Sequence, residues 1–243
     1  MDAATQIRNR IAEVTALRSR QRQADDAAAV QAIKALQSRR FRGTYADLLA
    51  NPRFAPATQF FLQELYGNGD YQARDTQFAR IAGTLQTLFP QAVVNTAVAL
   101  AQLHALTEQL DHAMAQAWPQ TAGDEVQRYV AAWRSVGQAE ARREQLTQVI
   151  RMGHDLAQLT RKPGLRTMLR MMRGPAQAAG MDALQRFLEA GFDTFGALSR
   201  NRGALEEFLS TIEARETALL DTLFTQPPVA CETTLRGILG QAR

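Results

Sequence analysis

The sequence has little cysteine, lysine or histidine and no long apolar run. Cys231 is the one cysteine among 243 residues, so no internal disulfide can form, and we expect a reducing compartment. The longest apolar run, residues 97–103, is interrupted by Gln102 and is far shorter than the roughly 20 residues of a membrane span. The first residues are polar and charged, unlike a secretion signal. These features predict a cytoplasmic protein without a transmembrane segment.

The charged residues are unusual because nearly all of the basic ones are arginines. The chain has a net charge of +4, and its only lysines are Lys34 and Lys162. Arginine binds phosphate and carboxylate groups bidentately, but acidic residues are interspersed with the arginines, which favours a compositional bias over a binding surface. No aromatic residue lies between Arg18, Arg20 and Arg22, so nucleic acid is not an expected partner.

Familiar enzyme motifs are missing from the sequence. It contains no Walker-type loop, no G-x-G-x-x-G after a strand, no G-x-S-x-G and no Cys–His zinc pattern. Its glycines are spread over expected helix ends and turns rather than clustered around a phosphate. The sequence therefore leaves open whether the protein is an enzyme.

The composition predicts an all-α fold. Ala, Leu, Gln and Arg dominate and β-branched residues are sparse. Without a fixed-period repeat or a low-complexity linker, we expect a single domain, a helical bundle of about eight to ten packed helices. Within it we expect a long N-terminal helix over residues 1–40, a helical core over residues 41–226 and a C-terminal tail over residues 227–243.

Residues 91–118 form the expected central helix. Their first half is apolar or small on every side, and a helix of that kind belongs in the interior of a protein. Pro90 and the Trp118-Pro119 pair mark its two ends. We expect the other helices to pack around this central buried helix.

The second half of the central helix carries a titratable cluster. His104 and Glu108 share one face with Asp111, and His112 lies four residues after Glu108. Imidazole and carboxylate ligands suit iron, manganese or zinc, and Glu64 and His154 are candidate further ligands from other helices. The alternative, which we favour, is a buried polar network that specifies packing. Haem held by His104 or His154 is a weaker variant, and having no cofactor is the favoured expectation.

A short basic helix is predicted over residues 165–173. Arg166, Arg170 and Arg173 fall on one face and apolar side chains on the other. This face is a candidate for an anionic protein partner or for peripheral contact with a membrane. The alternative is a solvated outer face of a core helix.

Two stretches resemble a known protein family. FFLQELYG at residues 60–67 and RDTQFARI at residues 74–81 are similar to the signature of the FFLEELY-motif proteins, and residues 104–114 and 172–195 extend the resemblance. The resemblance implies a bacterial helical protein without an assigned activity. Gln63 stands where the family name has Glu, which argues against a catalytic carboxylate there.

Two functions of different class follow from these patterns. The first is a binding or interaction protein that uses a helical groove or the basic face to hold a protein or a small molecule. The alternative is a metal- or haem-dependent oxidoreductase or sensor built on the His/Glu cluster. The sequence does not identify the ligand, and it leaves a homodimer open.

Overall fold

The computed structural model describes residues 1–23, 26–65, 71–118 and 122–242. Within these ranges the chain is helical and has no strand, which confirms the all-α prediction. The helices are α1 (Ala3–Gln23), α2 (Ala27–Thr44), α3 (Ala46–Ala50), α4 (Ala55–Phe60), α5 (Gln72–Leu88), α6 (Gln91–Ala117), α7 (Glu125–Val136), α8 (Ala139–Thr160), α9 (Leu165–Met171), α10 (Arg173–Ala178), α11 (Asp182–Arg200), α12 (Ala204–Thr225) and α13 (Pro228–Gly240).

The helices exceed the predicted eight to ten because several are very short. α3, α4 and α10 have five or six residues each, and such segments are too short for a 3.6-residue periodicity to reveal them. A π-helical turn, Phe61–Leu65, continues α4. Tyr66 and Gly67, which end the FFLQELYG stretch, lie outside the described residues.

The central position of α6 is confirmed. It packs against α1, α2, α5, α7 and α8. The distribution of burial along it differs from the prediction, because residues 97–100 are only partly buried, whereas the second half contains the buried Glu108 and Asp111. The polar half of the central helix is therefore its more deeply enclosed half.

Two apolar clusters lie along α6. One joins residues of α1, α4, α5, α8, α11 and α12 with the first half of α6. The other joins residues of α2, α7, α12 and α13 with the C-terminal end of α6. Glu108 and Asp111 lie on α6 between the two clusters and form a polar band there, while the partly buried Leu146 packs against both clusters.

The N-terminal region consists of two helices rather than the single one predicted over residues 1–40. The amide of Asp26 donates to the carbonyl of Gln21, and the chain then begins α2. α1 packs on α5 and α6, whereas α2 packs on α6 and α13. The apolar positions of each helix form a separate stripe because each stripe faces a different part of the core.

The predicted C-terminal tail is a core helix instead. α13 packs on α2 and α7, and Cys231 and Leu235 on it are fully buried. Pro228 lies in its first turn, where a missing amide costs no hydrogen bond. The division of the chain at residues 40 and 226 remains a prediction. Over the ranges described, no helix has the length and apolar character needed to cross a membrane.

Candidate functional site

An ion-pair network crosses the polar band of α6. The network consists of Arg18, Lys34, Asp75, His104 and Glu108. Arg18 on α1 donates through Nη1 to Asp75 Oδ2 at 2.8 Å and through Nη2 to Glu108 Oε1 at 2.9 Å. Lys34 on α2 donates to the same Glu108 oxygen at 2.9 Å. The network therefore holds α1, α2, α5 and α6 together.

His104 joins this network through the α5 carboxylate. Its Nε2 lies 2.9 Å from Asp75 Oδ2. Burial acts to raise the pKa of Asp75, but the hydrogen bond with His104 and the charges around it, including Arg18, outweigh burial and hold the pKa below its ordinary value. Nε2 therefore carries the proton, since an ionised carboxylate can only accept.

The pKa values of Glu108 and Asp111 are shifted in opposite directions, although the two residues are only three positions apart. Burial acts to raise the pKa of Glu108, but the charges of Lys34 and Arg18 outweigh it and lower that pKa. Burial also raises the pKa of Asp111, and there it prevails over the nearby cations. Asp111 accepts a hydrogen bond from Gln37 Nε2 at 3.2 Å. The middle of α6 thus contains one carboxylate held in its charged form and one biased towards its neutral form.

The side chains predicted as metal ligands occupy separate places. His104 contacts Asp75, and Glu108 contacts two cations. His112 Nδ1 is buried and has no hydrogen-bond partner among the described residues, and His154 lies 3.8 Å from Glu206 on the half-exposed surface. Glu64 lies 3.5 Å from Arg74. No three His, Cys, Asp or Glu side chains of the described ranges converge on a point where a metal ion could sit, and metal binding by these five residues remains a prediction.

The predicted basic face is largely neutralised. Arg166 Nε donates to Asp193 Oδ1 at 2.7 Å, and Arg173 pairs with Glu189, so both arginines bind carboxylates of α11. Arg170 forms no ion pair with any described residue. Binding of an anionic partner by these three arginines remains a prediction, and two of them already hold α9 and α10 against α11.

Three members of the network were not predicted as site residues from the sequence, although each of them continues an apolar stripe. Arg18 follows Ile11 and Val14 at spacings of seven and four. In the same way, Lys34 follows Val30, and Asp75 precedes Phe78. A charged residue in register with an apolar stripe indicates a buried ion pair, because unpaired charges are not tolerated in a core.

A pocket lined by apolar side chains lies beside α5 and α6. The apolar pocket has a volume of about 120 Å³ and is lined by side chains of α4, α5, α6, α8, α9 and α11. Of the described side chains that line it, only Thr96 carries a polar atom, and its hydroxyl donates to the carbonyl of Ala92. The lining therefore offers an occupant dispersion contacts and almost no hydrogen bonds.

A second, smaller cavity adjoins the apolar pocket. This polar compartment has a volume of about 50 Å³, and Glu64, Arg74, Asp75, His104 and Thr107 give it its polar lining. Phe78, Leu100, Leu184 and Phe187 line both cavities. Asp75 and His104 of the ion-pair network thus line a cavity that is adjacent to the apolar pocket.

The short helix α9 covers one side of the apolar pocket. Leu165 and Leu169 line the pocket, yet none of the seven residues of α9 is fully buried. Gly164, which precedes α9, has a φ of +78°, a value that side chains other than glycine rarely adopt. α9 is the most weakly enclosed of the walls around the pocket.

The comparisons with known proteins identify a family but no activity. A family model described as "Domain of unknown function (DUF8198)" matches residues 16–230. No curated protein and no solved structure matches the chain.

Proposed function

The chain belongs to the DUF8198 family of unknown function, and from its geometry we propose that it is a binding protein for a small apolar molecule. The observation that carries this proposal is the apolar pocket of about 120 Å³ between α5, α6, α8, α9 and α11. The proposal narrows the binding function predicted from the sequence to a small-molecule partner in a helical groove.

The cost of leaving such a pocket empty supports the proposal. Protein interiors are packed as densely as organic crystals and contain few voids larger than a water molecule. At about 24 cal/mol per Å³, an enclosed apolar cavity of about 120 Å³ would lower the free energy of unfolding by roughly 3 kcal/mol, which is an upper bound for this pocket because it is partly open to solvent. That is a large part of the roughly 5–15 kcal/mol that keeps a domain folded. An occupant that fills the pocket recovers much of this loss.

The pocket volume sets the size of the occupant. An engineered apolar cavity of about 150 Å³ stays dry and binds benzene. The pocket of this protein, at about 120 Å³, therefore fits one aromatic ring or a short alkyl chain. α9 is the wall that such a molecule can displace at the least cost, because none of its residues is fully buried.

Binding of toluene tests this function. We expect toluene at about ten times its Kd to stabilise the protein by about 1.4 kcal/mol, which corresponds to a rise in Tm of about 4 °C. Ala97→Phe, which adds a ring to the pocket wall, should abolish this rise. Ala131→Phe is the matched control, because Ala131 is exposed on α7 and does not line the pocket. The proposal fails if neither the wild type nor the control responds to toluene.

The finer sequence predictions stand beside this proposal. The cytoplasmic location, the bacterial origin and the resemblance to the FFLEELY-motif proteins are retained as predictions. The metal- or haem-dependent oxidoreductase or sensor is the alternative, but Glu108 already binds two cationic side chains, which argues against its binding a metal ion. A protein partner at the basic face is also less favoured than a small molecule in the pocket, because Arg166 and Arg173 are already paired with carboxylates.

A further inference from the structure

We infer that the occupant of the apolar pocket is a neutral amphiphile whose hydroxyl head lies in the polar compartment. This inference rests on the proposed function, because it takes the apolar pocket as the site of the ligand's body. The two cavities share Phe78, Leu100, Leu184 and Phe187 as a common wall. A molecule with its ring in the apolar pocket would direct one short substituent past these four side chains, towards Asp75 and Arg74.

The size of the polar compartment restricts the head. The compartment has a volume of about 50 Å³, and one water molecule needs about 10–15 Å³ of such volume. The space is sufficient for a hydroxyl or hydroxymethyl group together with a few waters. It is too small for a sugar, so the ligand is a simple alcohol or phenol rather than a lipid with a large headgroup.

The hydrogen-bonding groups of the compartment match a hydroxyl. Asp75 Oδ2 already accepts from Arg18 and lies against His104 Nε2, whereas Oδ1 lies 3.9 Å from Arg74 Nε, too far for a hydrogen bond. An acceptor and a guanidinium donor are therefore adjacent without being bonded to each other. A hydroxyl, which is both donor and acceptor, can donate to Asp75 Oδ1 and accept from Arg74.

The charge balance of the compartment favours a neutral head over an ionised one. Glu64 has Arg74 at 3.5 Å, and Asp75 has Arg18 at 2.8 Å, so each carboxylate already has a guanidinium beside it. His104 is the remaining titratable group, and it faces Asp75. A carboxylate or ammonium head would add an uncompensated charge to a site whose polar side chains are mostly shielded from water.

Four ligands with one shared ring test the inference on the full chain at neutral pH. Toluene has no polar head, benzyl alcohol has a neutral hydroxyl, benzylamine is a cation and benzoate is an anion. We expect benzyl alcohol to bind about tenfold more tightly than toluene, the effect of one hydrogen bond to a charged group. Benzylamine and benzoate should bind more weakly than benzyl alcohol. Calorimetric titration gives the four dissociation constants.

Two charge-removing variants show whether the head is in the polar compartment. Glu64→Gln leaves one positive charge in excess, so benzoate should gain affinity relative to benzyl alcohol. Arg74→Gln leaves one negative charge in excess, so benzylamine should gain instead. A purely structural role of these two residues would weaken all four ligands equally and would not produce reciprocal shifts. Glu64 is about one-third exposed, so its variant remains informative even if Arg74→Gln does not fold.

The outcomes separate this inference from the proposed function. If toluene binds and benzyl alcohol binds no more tightly, the pocket is a purely apolar site and the inference is overturned. The same conclusion follows if benzoate or benzylamine binds the wild type most tightly. If toluene itself does not bind, the proposed function fails and the inference fails with it. Tight binding of benzyl alcohol together with the reciprocal shifts supports both.

Discussion

Lys34 Nζ lies 2.9 Å from Glu108 Oε1, and this ion pair joins α2 to the middle of α6, 74 residues further along the chain. The same oxygen accepts from Arg18, so one carboxylate neutralises cations from two helices. Its second oxygen, Oε2, is buried without a hydrogen-bond partner among the described residues. Glu108 is thus the centre of the network, and its removal leaves two cations that face each other.

Replacing this carboxylate should destabilise the fold. We expect Glu108→Gln to lower the free energy of unfolding by about 2–3 kcal/mol, because loss of one partner of a buried ion pair leaves uncompensated charge. Glu13→Gln is the control, since Glu13 forms a half-exposed pair with Arg10 and should change stability by less than about 0.5 kcal/mol. Urea denaturation measures both. Equal effects of the two substitutions would mean that burial of the network contributes nothing.

Asp111 should give stability a pH dependence of opposite sign to that of Glu108. Burial raises the pKa of Asp111 in the folded state, so its contribution to stability is present below its ordinary pKa of 3.8 and is lost as the pH rises through the raised value. Asp111→Asn removes this titration and keeps an oxygen for Gln37. The variant should gain stability relative to the wild type as the pH rises above about 4, by about 1.4 kcal/mol for each unit of pKa shift.

Denaturation of Asp111→Asn and Glu108→Gln over a range of pH measures this contrast. The lowered pKa of Glu108 gives the wild type stability that is present above about pH 4.5 and is lost as the pH falls through the lowered value. Glu108→Gln should therefore be least favourable relative to the wild type at neutral pH, where Asp111→Asn is most favourable. Parallel pH profiles for the two variants would contradict the assignment.

The contact between α2 and α13 predicts opposite effects for two glycine substitutions. A Cβ added at Gly43 would lie 2.0 Å from the carbonyl oxygen of Ile238, and this backbone atom can move only if α13 moves. We expect Gly43→Ala to lower the free energy of unfolding by about 3 kcal/mol. A Cβ at Gly237, on the facing helix, meets nothing within 4 Å, so Gly237→Ala should be neutral or stabilising by up to about 1 kcal/mol.

Thermal denaturation of both glycine variants measures this difference. The two positions lie in neighbouring helices and the substitutions are chemically identical, so helix propensity cancels in the comparison. If Gly43→Ala is as stable as Gly237→Ala, α13 does not pack on α2 as the structure describes.

The ion pairs between α9–α10 and α11 should control access to the apolar pocket. We expect Arg166→Ala and Arg173→Ala each to speed hydrogen exchange in α9 and α10 by roughly two- to fivefold, the effect of one exposed pair. Arg170→Ala is the control, because Arg170 forms no ion pair with a described residue. Since surface pairs are screened by salt, 1 M NaCl should reproduce the effect in the wild type.

An anion-binding role for this face would give a different result. Each of the three arginines would then contribute to anion binding, and Arg170→Ala would weaken it as much as the other two substitutions. Exchange rates together with phosphate titrations of the three variants distinguish the two roles. If exchange in α9 and α10 is equally slow in all variants, the pairs do not restrain these helices.

The sequence predicts those helix boundaries that have local signals. Pro90 separates α5 from α6, and Pro163 with Gly164 separates α8 from α9, as their backbone restrictions require. The apolar stripe of α11 similarly predicts the burial of Leu184, Phe187 and Phe195, whereas Leu188 and Phe192 on the same stripe are only partly buried. Such features depend on residues that are neighbours in the chain.

The site is less predictable because its partners come together only through tertiary packing. His104 is expected near a carboxylate, but no local pattern indicates that this carboxylate is Asp75 on α5. The apolar pocket has no signature at all, since its lining consists of the same Leu and Phe residues that would fill a solid core. Whether such side chains meet or leave a gap depends on the angles between six helices.

The ion-pair network also has a kinetic consequence. Its members are distant in the chain: 90 residues separate Arg18 from Glu108, and 57 separate Arg18 from Asp75. Closing loops of that length costs entropy before the contacts return any free energy, so we expect the network to form late in folding. Interactions that are absent from the transition state slow unfolding without speeding folding. We therefore expect the ion-pair network to prolong the lifetime of the folded molecule more than it hastens its formation.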